Sequence, residues 1–164
     1  MAYQVAMSLS DRFAAVAPVE GGIHPGFLKK PAYPISLLDI HGTADTLVPI
    51  NGTAIGTMGS TNGNATGIPV STDSWLYTNQ STIMAVFRAN NNCSGSPQRY
   101  LTMYDGSASL YCIHEGHCWN SAHSESGHRT SLVHCAWDGA HNVPGANDDA
   151  TNDSGTPEYH PRHK

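Results

Sequence analysis

Two apolar segments of this chain each lead into a polar loop that contains glycine. Segment 34–40 ends just before a loop that carries Asp45, and segment 131–137 ends just before a loop that carries His141. Short apolar runs of this kind are typical of strands in a buried parallel sheet. Because the carboxyl ends of parallel strands meet at one edge of a sheet, the sequence predicts that Asp45 and His141 lie close together.

An acid followed much later by a histidine is the order in which an α/β-hydrolase triad is laid out, after its serine. A hydrolytic histidine takes a proton with one ring nitrogen while a carboxylate holds the other, so Asp45 and His141 are the predicted acid and base. Gly42, Gly139 and Gly145 would let the two loops turn tightly. Taken alone, each residue suits an ordinary turn, and only their joint arrangement favours catalysis. The third member, a serine in Gly-x-Ser-x-Gly, occurs nowhere in the 164 residues.

The remaining patterns predict an α/β fold. Residues 1–10 suit a short helix and residues 13–19 a strand buried on both faces. The clearest helix is 80–91, with Ser81 or Thr82 as its N-cap. Further short segments with β character are separated by glycine, serine and aspartate, at 100–104, 110–113 and 131–137. We expect the C-terminal part of an α/β-hydrolase, with a mostly parallel sheet, flanking helices and many loops.

One domain is predicted for residues 1–145. Within it, residues 51–72 are rich in Gly, Thr, Asn and Ser, which is typical of a flexible excursion. Residues 146–164 are polar and form a predicted disordered tail.

The loop 41–49, His-Gly-Thr-Ala-Asp-Thr-Leu-Val-Pro, resembles the acid-bearing loop of secreted esterases grouped with polyhydroxybutyrate depolymerases and feruloyl esterases. The loop 137–145 is similar to that family's histidine loop. The resemblance implies a serine carboxylesterase or depolymerase with an acyl-serine mechanism, in which Asp45 is the acid and His141 the base. It implies no cofactor and a substrate that is either a polyhydroxyalkanoate or a feruloylated polysaccharide.

The resemblance extends from residue 1 to about residue 145, since residues 1–6 resemble the helix that follows the family's nucleophile elbow. Ala140 and Val143 depart from the family's usual histidine loop. The serine and the oxyanion hole would then lie upstream of Met1, together with a signal peptide. The expectation is a fragment that supplies the acid and the histidine and is inactive alone.

Composition favours a secreted protein and argues against two classes of partner. The net charge is −5 without a run of Lys or Arg, which argues against a nucleic acid, and no segment is apolar enough to span a membrane. Five Asn-x-Ser/Thr sequons indicate glycosylation, at Asn51, Asn64, Asn79, Asn92 and Asn152.

Four cysteines form an even set, as a disulfide framework would, at Cys93, Cys112, Cys118 and Cys135. Three connectivities are open. Cys93 could pair with Cys135 or Cys112, and a bridge between Cys112 and Cys118 would close a small loop. The competing zinc interpretation has abundant ligands but no recognisable spacing, so no metal is predicted.

Two other functions stay open. The chain could be a non-catalytic secreted glycoprotein that keeps part of the hydrolase fold, or a His/Cys metal-binding module. An aromatic platform for sugars is a further interpretation of the tyrosines and tryptophans, although most of them suit core packing. Trp75, which lies in a polar stretch, is the aromatic residue that core packing explains least.

Overall fold

The computed structural model describes residues 1–53, 75–105, 108–120 and 128–141 of the chain. Most of the predicted excursion 51–72 lies outside these ranges, as does the whole predicted tail 146–164. Two helices and two sheets are present within them, in the order helix, two strands, helix and six strands. None of the described helices is long and apolar enough to cross a membrane.

The first helix, α1, spans Ala2–Ser8 and the second, α2, spans Gln80–Asn90, as the sequence predicted. The N-cap of α2 is Asn79 rather than the predicted Ser81 or Thr82, because the Asn79 side chain accepts a hydrogen bond from the backbone N–H of Ser81. That bond satisfies one of the backbone donors that a helix start leaves unpaired.

Eight strands are present in the described ranges, with the following bounds: β1 Ala15–Val16, β2 Ser36–Gly42, β3 Cys93–Ser94, β4 Gln98–Asp105, β5 Ala108–His114, β6 His117–Asn120, β7 His128–Thr130 and β8 Leu132–Trp137. Five of them form one sheet in the order β1-β2-β8-β5-β4. The other three form a small antiparallel sheet in the order β3-β6-β7.

The predicted fold class is wrong. Strands β1, β2 and β8 are parallel, but β5 runs antiparallel to β8, and β4 runs antiparallel to β5. The five-stranded sheet is therefore mixed and the three-stranded sheet antiparallel. Two short helices accompany them in the described part of the chain, unlike the helix-flanked parallel sheet of an α/β-hydrolase. The physical reason lies between β4 and β5. Only two residues separate these strands in the sequence, so they can pair only antiparallel, since a parallel pair needs a long crossover connection.

The core joins both helices to the sheet. Tyr3 and Met7 of α1 and Phe87 of α2 pack in one cluster with Leu37 of β2 and Leu132 of β8. This cluster packs against the beginnings of the parallel strands β2 and β8, at the end opposite the loops that follow them.

Strand β1 lies at the edge of the five-stranded sheet, which corrects a second expectation. Residues 13–19 were predicted to be buried on both faces, yet Phe13 is 46% exposed and Val19 is 44% exposed. Regular pairing is limited to Ala15 and Val16, with one further parallel bridge between Val19 and Ile40. An edge strand has a neighbour on one side only, which leaves its side chains more open to solvent.

Two disulfides link register partners. Cys93 bonds to Cys118 between β3 and β6, and Cys112 bonds to Cys135 between β5 and β8. The predicted disulfide framework is confirmed, and of the three open connectivities it is the one in which Cys93 bonds to neither Cys135 nor Cys112. Strand register makes the choice, because it places each cysteine directly opposite its partner across an antiparallel pair.

Candidate functional site

The structure brings together the two residues that the sequence singled out. Nδ1 of His141 lies 2.8 Å from Oδ2 of Asp45. An ionised carboxylate can only accept a hydrogen bond, so Nδ1 carries the proton and Nε2 is left as an acceptor. The Asp45 side chain is fully buried, whereas the His141 side chain is 37% exposed. The arrangement is therefore a buried acid that orients a solvent-accessible imidazole.

The backbone of its own loop holds Asp45 in place. Oδ1 accepts the N–H of Leu47 at 2.8 Å and the N–H of Val48 at 2.9 Å, which leaves Oδ2 for His141. Burial alone would raise the pKa of Asp45. The hydrogen bonds from Val48 and His141, together with the neighbouring Glu20 carboxyl, outweigh burial and lower this pKa below its ordinary value.

The acid loop and the histidine loop are in direct backbone contact. The N–H of Thr43 donates to the carbonyl of Trp137, and the N–H of Ala44 donates to the carbonyl of Gly139, both at 2.9 Å. A Cβ on Gly42 would lie 2.4 Å from the carbonyl oxygen of Gly139, closer than real Cβ contacts come. Glycine is thus required at position 42 for the loops to approach this closely.

A second histidine, His41, lies beneath the pair. Its Nε2 is 2.6 Å from the carbonyl oxygen of Val48, so Nε2 carries the proton, and it is 3.4 Å from Oδ2 of Asp45. Nδ1 of His41 is buried and has no hydrogen-bond partner among the described residues. Although His41 is part of the motif at the acid loop, sequence reasoning gave it no role.

Glu20 completes the cluster and was missed by the sequence analysis. One of its oxygens accepts the N–H of Gly42 at 3.0 Å, and the other accepts the indole N–H of Trp137 at 2.6 Å. Burial raises the pKa of Glu20, and the hydrogen bonds from Trp137 and Gly42 offset only part of that increase. One signal could have found it: Glu20 follows the apolar run 13–19 just as Asp45 and His141 follow theirs.

Within the described ranges, one group of side chains comes close enough for a metal ion. Single ligand atoms of Glu20, His41 and Asp45 lie within 4.8 Å of one another. Apart from Nδ1 of His41, their polar atoms already bond to protein groups, which gives a hydrogen-bonded cluster rather than an open ligand set. The four cysteines of the zinc alternative are held in disulfides and offer no thiolate.

A second aspartate–histidine pair lies deeper in the sheet. Asp39 of β2 and His134 of β8 are register partners, and Nδ1 of His134 lies 2.6 Å from Oδ2 of Asp39. The hydroxyl of Tyr3 donates to Oδ1 of Asp39, and the Gln80 amide donates to that hydroxyl. This network ties both helices to the sheet. The sequence analysis missed this pair, although a carboxylate within an apolar strand sequence was a signal that could have found it.

The described sequons differ in their surroundings. Asn51 and Asn92 are exposed, whereas Asn79 caps α2 and its amide donates to the carbonyl of Asn51. Asn64 and Asn152 lie outside the described residues. Glycosylation at these sites stays a prediction.

No protein-family model matches the sequence, and no curated protein matches it significantly.

Proposed function

We propose that this chain carries the acid and the base of a serine-type carboxylic ester hydrolase. The observation that carries the proposal is the 2.8 Å contact between Asp45 and His141, two residues separated by 96 positions in the sequence. A buried carboxylate that fixes one ring nitrogen of a partly exposed imidazole is what a hydrolytic base requires. The lowered pKa of Asp45 supports it too, because an ionised acid stabilises the imidazolium that forms during the reaction.

In the proposed mechanism, Nε2 of His141 removes the proton of a serine hydroxyl while the serine oxygen attacks the ester carbonyl. The resulting imidazolium, stabilised by Asp45, then gives its proton to the departing alcohol, which leaves an acyl-serine. Water, activated by His141 in the same way, hydrolyses the acyl-serine and frees the acid. Since no Gly-x-Ser-x-Gly is present, the chain supplies the acid and the base but not the nucleophile, and it should be inactive alone.

The substrate class follows from the loop sequences 41–49 and 137–145. Their resemblance to secreted esterases supports a polyhydroxyalkanoate or a feruloylated polysaccharide as the ester. The two disulfides are compatible with an extracellular protein, where such bonds persist.

The test is hydrolysis of p-nitrophenyl butyrate by the product of the complete open reading frame. We expect His141→Ala and Asp45→Asn each to lower kcat/KM by roughly 10³-fold or more. His117→Ala, at an exposed histidine of β6, is the matched control and should leave the rate unchanged. The proposal is refuted if the wild-type protein hydrolyses no ester, or if His141→Ala keeps the rate within twofold. Hydrolysis by the 164-residue chain alone would refute the part that places the serine elsewhere.

A further inference from the structure

Glu20 occupies a costly position for a carboxyl group. Glu20 is 8% exposed, and no ion pair among the described residues joins it to a lysine or arginine. Its backbone φ is 50°, in the left-handed region that residues with a Cβ rarely adopt. Strain and burial of this kind persist only where the surrounding structure determines them, and they concentrate at functional sites.

The two oxygens of Glu20 contact the two loops of the site. Gly42, which gives its N–H to Oε2, is the last residue of β2 before the acid loop. Trp137, which gives its indole N–H to Oε1, is the last residue of β8 before the histidine loop. The backbone of Glu20 is itself fixed, since its N–H donates to the carbonyl of Ile40 at 2.9 Å. One carboxyl group thus joins the two strand ends that carry Asp45 and His141.

Glu20 also faces the acid itself. One of its oxygens lies within 4.8 Å of an Asp45 oxygen, and Oε2 is 3.8 Å from Nε2 of His41. Two carboxyls this close favour a state in which one holds the proton and the other the charge. Asp45, which also receives the N–H of Val48 and of His141, is the better-stabilised anion.

We propose that Glu20 is a positioning residue of the Asp45–His141 pair, which fixes the spacing of the two loops and the charge of the acid. The expected effect of Glu20 on the rate of ester hydrolysis rests on the proposed function. Its effect on the geometry of the Asp45–His141 pair can be measured without any substrate.

The decisive variant is Glu20→Gln, which keeps the size of the side chain. The amide has only one oxygen that can accept a hydrogen bond. The N–H of either Gly42 or Trp137 must therefore point at the NH₂ group of the glutamine, which is also a donor, and that hydrogen bond is lost. Trp137→Phe is the second variant, since it removes the indole donor, together with part of a buried ring, and leaves the Glu20 carboxyl in place. Glu115→Gln is the matched control, because Glu115 is a partly buried carboxyl that pairs with Arg88 at 3.3 Å and has no contact with the pair.

The measurement is the Nδ1–H proton of His141 in NMR spectra of the ¹⁵N-histidine-labelled 164-residue chain, identified by its loss in His141→Ala. We expect Glu20→Gln to speed the exchange of this proton with water by about tenfold or more, because losing one hydrogen bond that holds the two loops makes the His141–Asp45 pair open more readily. Trp137→Phe should produce a smaller change in the same direction, and Glu115→Gln should produce none.

A second readout is kinetic and uses the product of the complete open reading frame. Glu20→Gln should lower kcat about tenfold or more with KM unchanged, since a displaced base weakens transition-state stabilisation alone. If the wild-type protein hydrolyses no ester, the proposed function fails while the NMR result still decides the role of Glu20. If Glu20→Gln leaves the His141 proton and its exchange as in the wild type, Glu20 is merely structural and the inference is overturned.

Discussion

Removing one oxygen atom from Tyr3 should destabilise the protein strongly. Tyr3 is 2% exposed, and its hydroxyl donates to Asp39, which is fully buried, while accepting a hydrogen bond from the Gln80 amide. Burial and the adjacent Asp39 carboxylate raise the pKa of Tyr3 well above its ordinary value, so the hydroxyl keeps its proton and stays a donor. In Tyr3→Phe, Asp39 loses one of its two partners and the amide of Gln80 loses its acceptor.

The magnitude follows from these two losses. A hydrogen bond to a charged group contributes about 1.5–3 kcal/mol, and a buried donor left unpaired costs about 1–3 kcal/mol. We therefore expect the free energy of unfolding to fall by about 3–4 kcal/mol. For a domain of this size, that corresponds to a fall in Tm of roughly 10 °C.

The assay is urea and thermal denaturation followed by circular dichroism. Tyr111→Phe removes the same atom from a half-buried ring on β5 and serves as the control. The double variant Tyr3→Phe/Gln80→Met should recover about 1 kcal/mol or more, because the unpaired amide is then absent. A loss below about 0.5 kcal/mol for Tyr3→Phe would refute the reasoning, since surface substitutions alone reach that value.

Two further predictions concern acid pH and the disulfides. The pKa of Asp45 is lowered in the folded state, so its stabilising contribution is present above the unfolded pKa of about 3.9 and is lost as the pH falls through the folded value. The difference in urea midpoint between wild type and Asp45→Asn should accordingly be constant at pH 5–7 and shrink below about pH 4; an equal difference at acid pH would contradict this. The double variant Cys112→Ala/Cys135→Ala opens a loop with a sequence separation of 23 and should lose about 3 kcal/mol by chain entropy. A loss under about 1 kcal/mol in urea denaturation would show that the bridge constrains the unfolded chain little.

The residues of the candidate site that lie in loops directly after apolar strands could be predicted from the sequence. Asp45 and His141 were found because β2 and β8 are apolar runs that end in polar loops, and parallel neighbours deliver such loops to one edge. Helix α2 was equally predictable, since its apolar residues recur at helical spacing. The helix is a local feature of the sequence, and the two loops each follow the same local pattern of an apolar run that ends in a polar loop.

The partners that depend on which strands become neighbours could not be predicted in this way. Pairing of β5 with β8 turned the expected parallel sheet into a mixed one, and its register set the Cys112–Cys135 bridge. The same holds for Glu20, whose two hydrogen bonds reach residues 22 and 117 positions away. Sequence alone indicated strands β2 and β8 and placed Asp45 and His141 in the loops that follow them, because apolar patterning acts along the chain. Only the tertiary structure decided the sheet topology, the disulfide pairing and the Glu20 contacts, because these depend on the hydrogen-bonded register between strands that are far apart in the sequence.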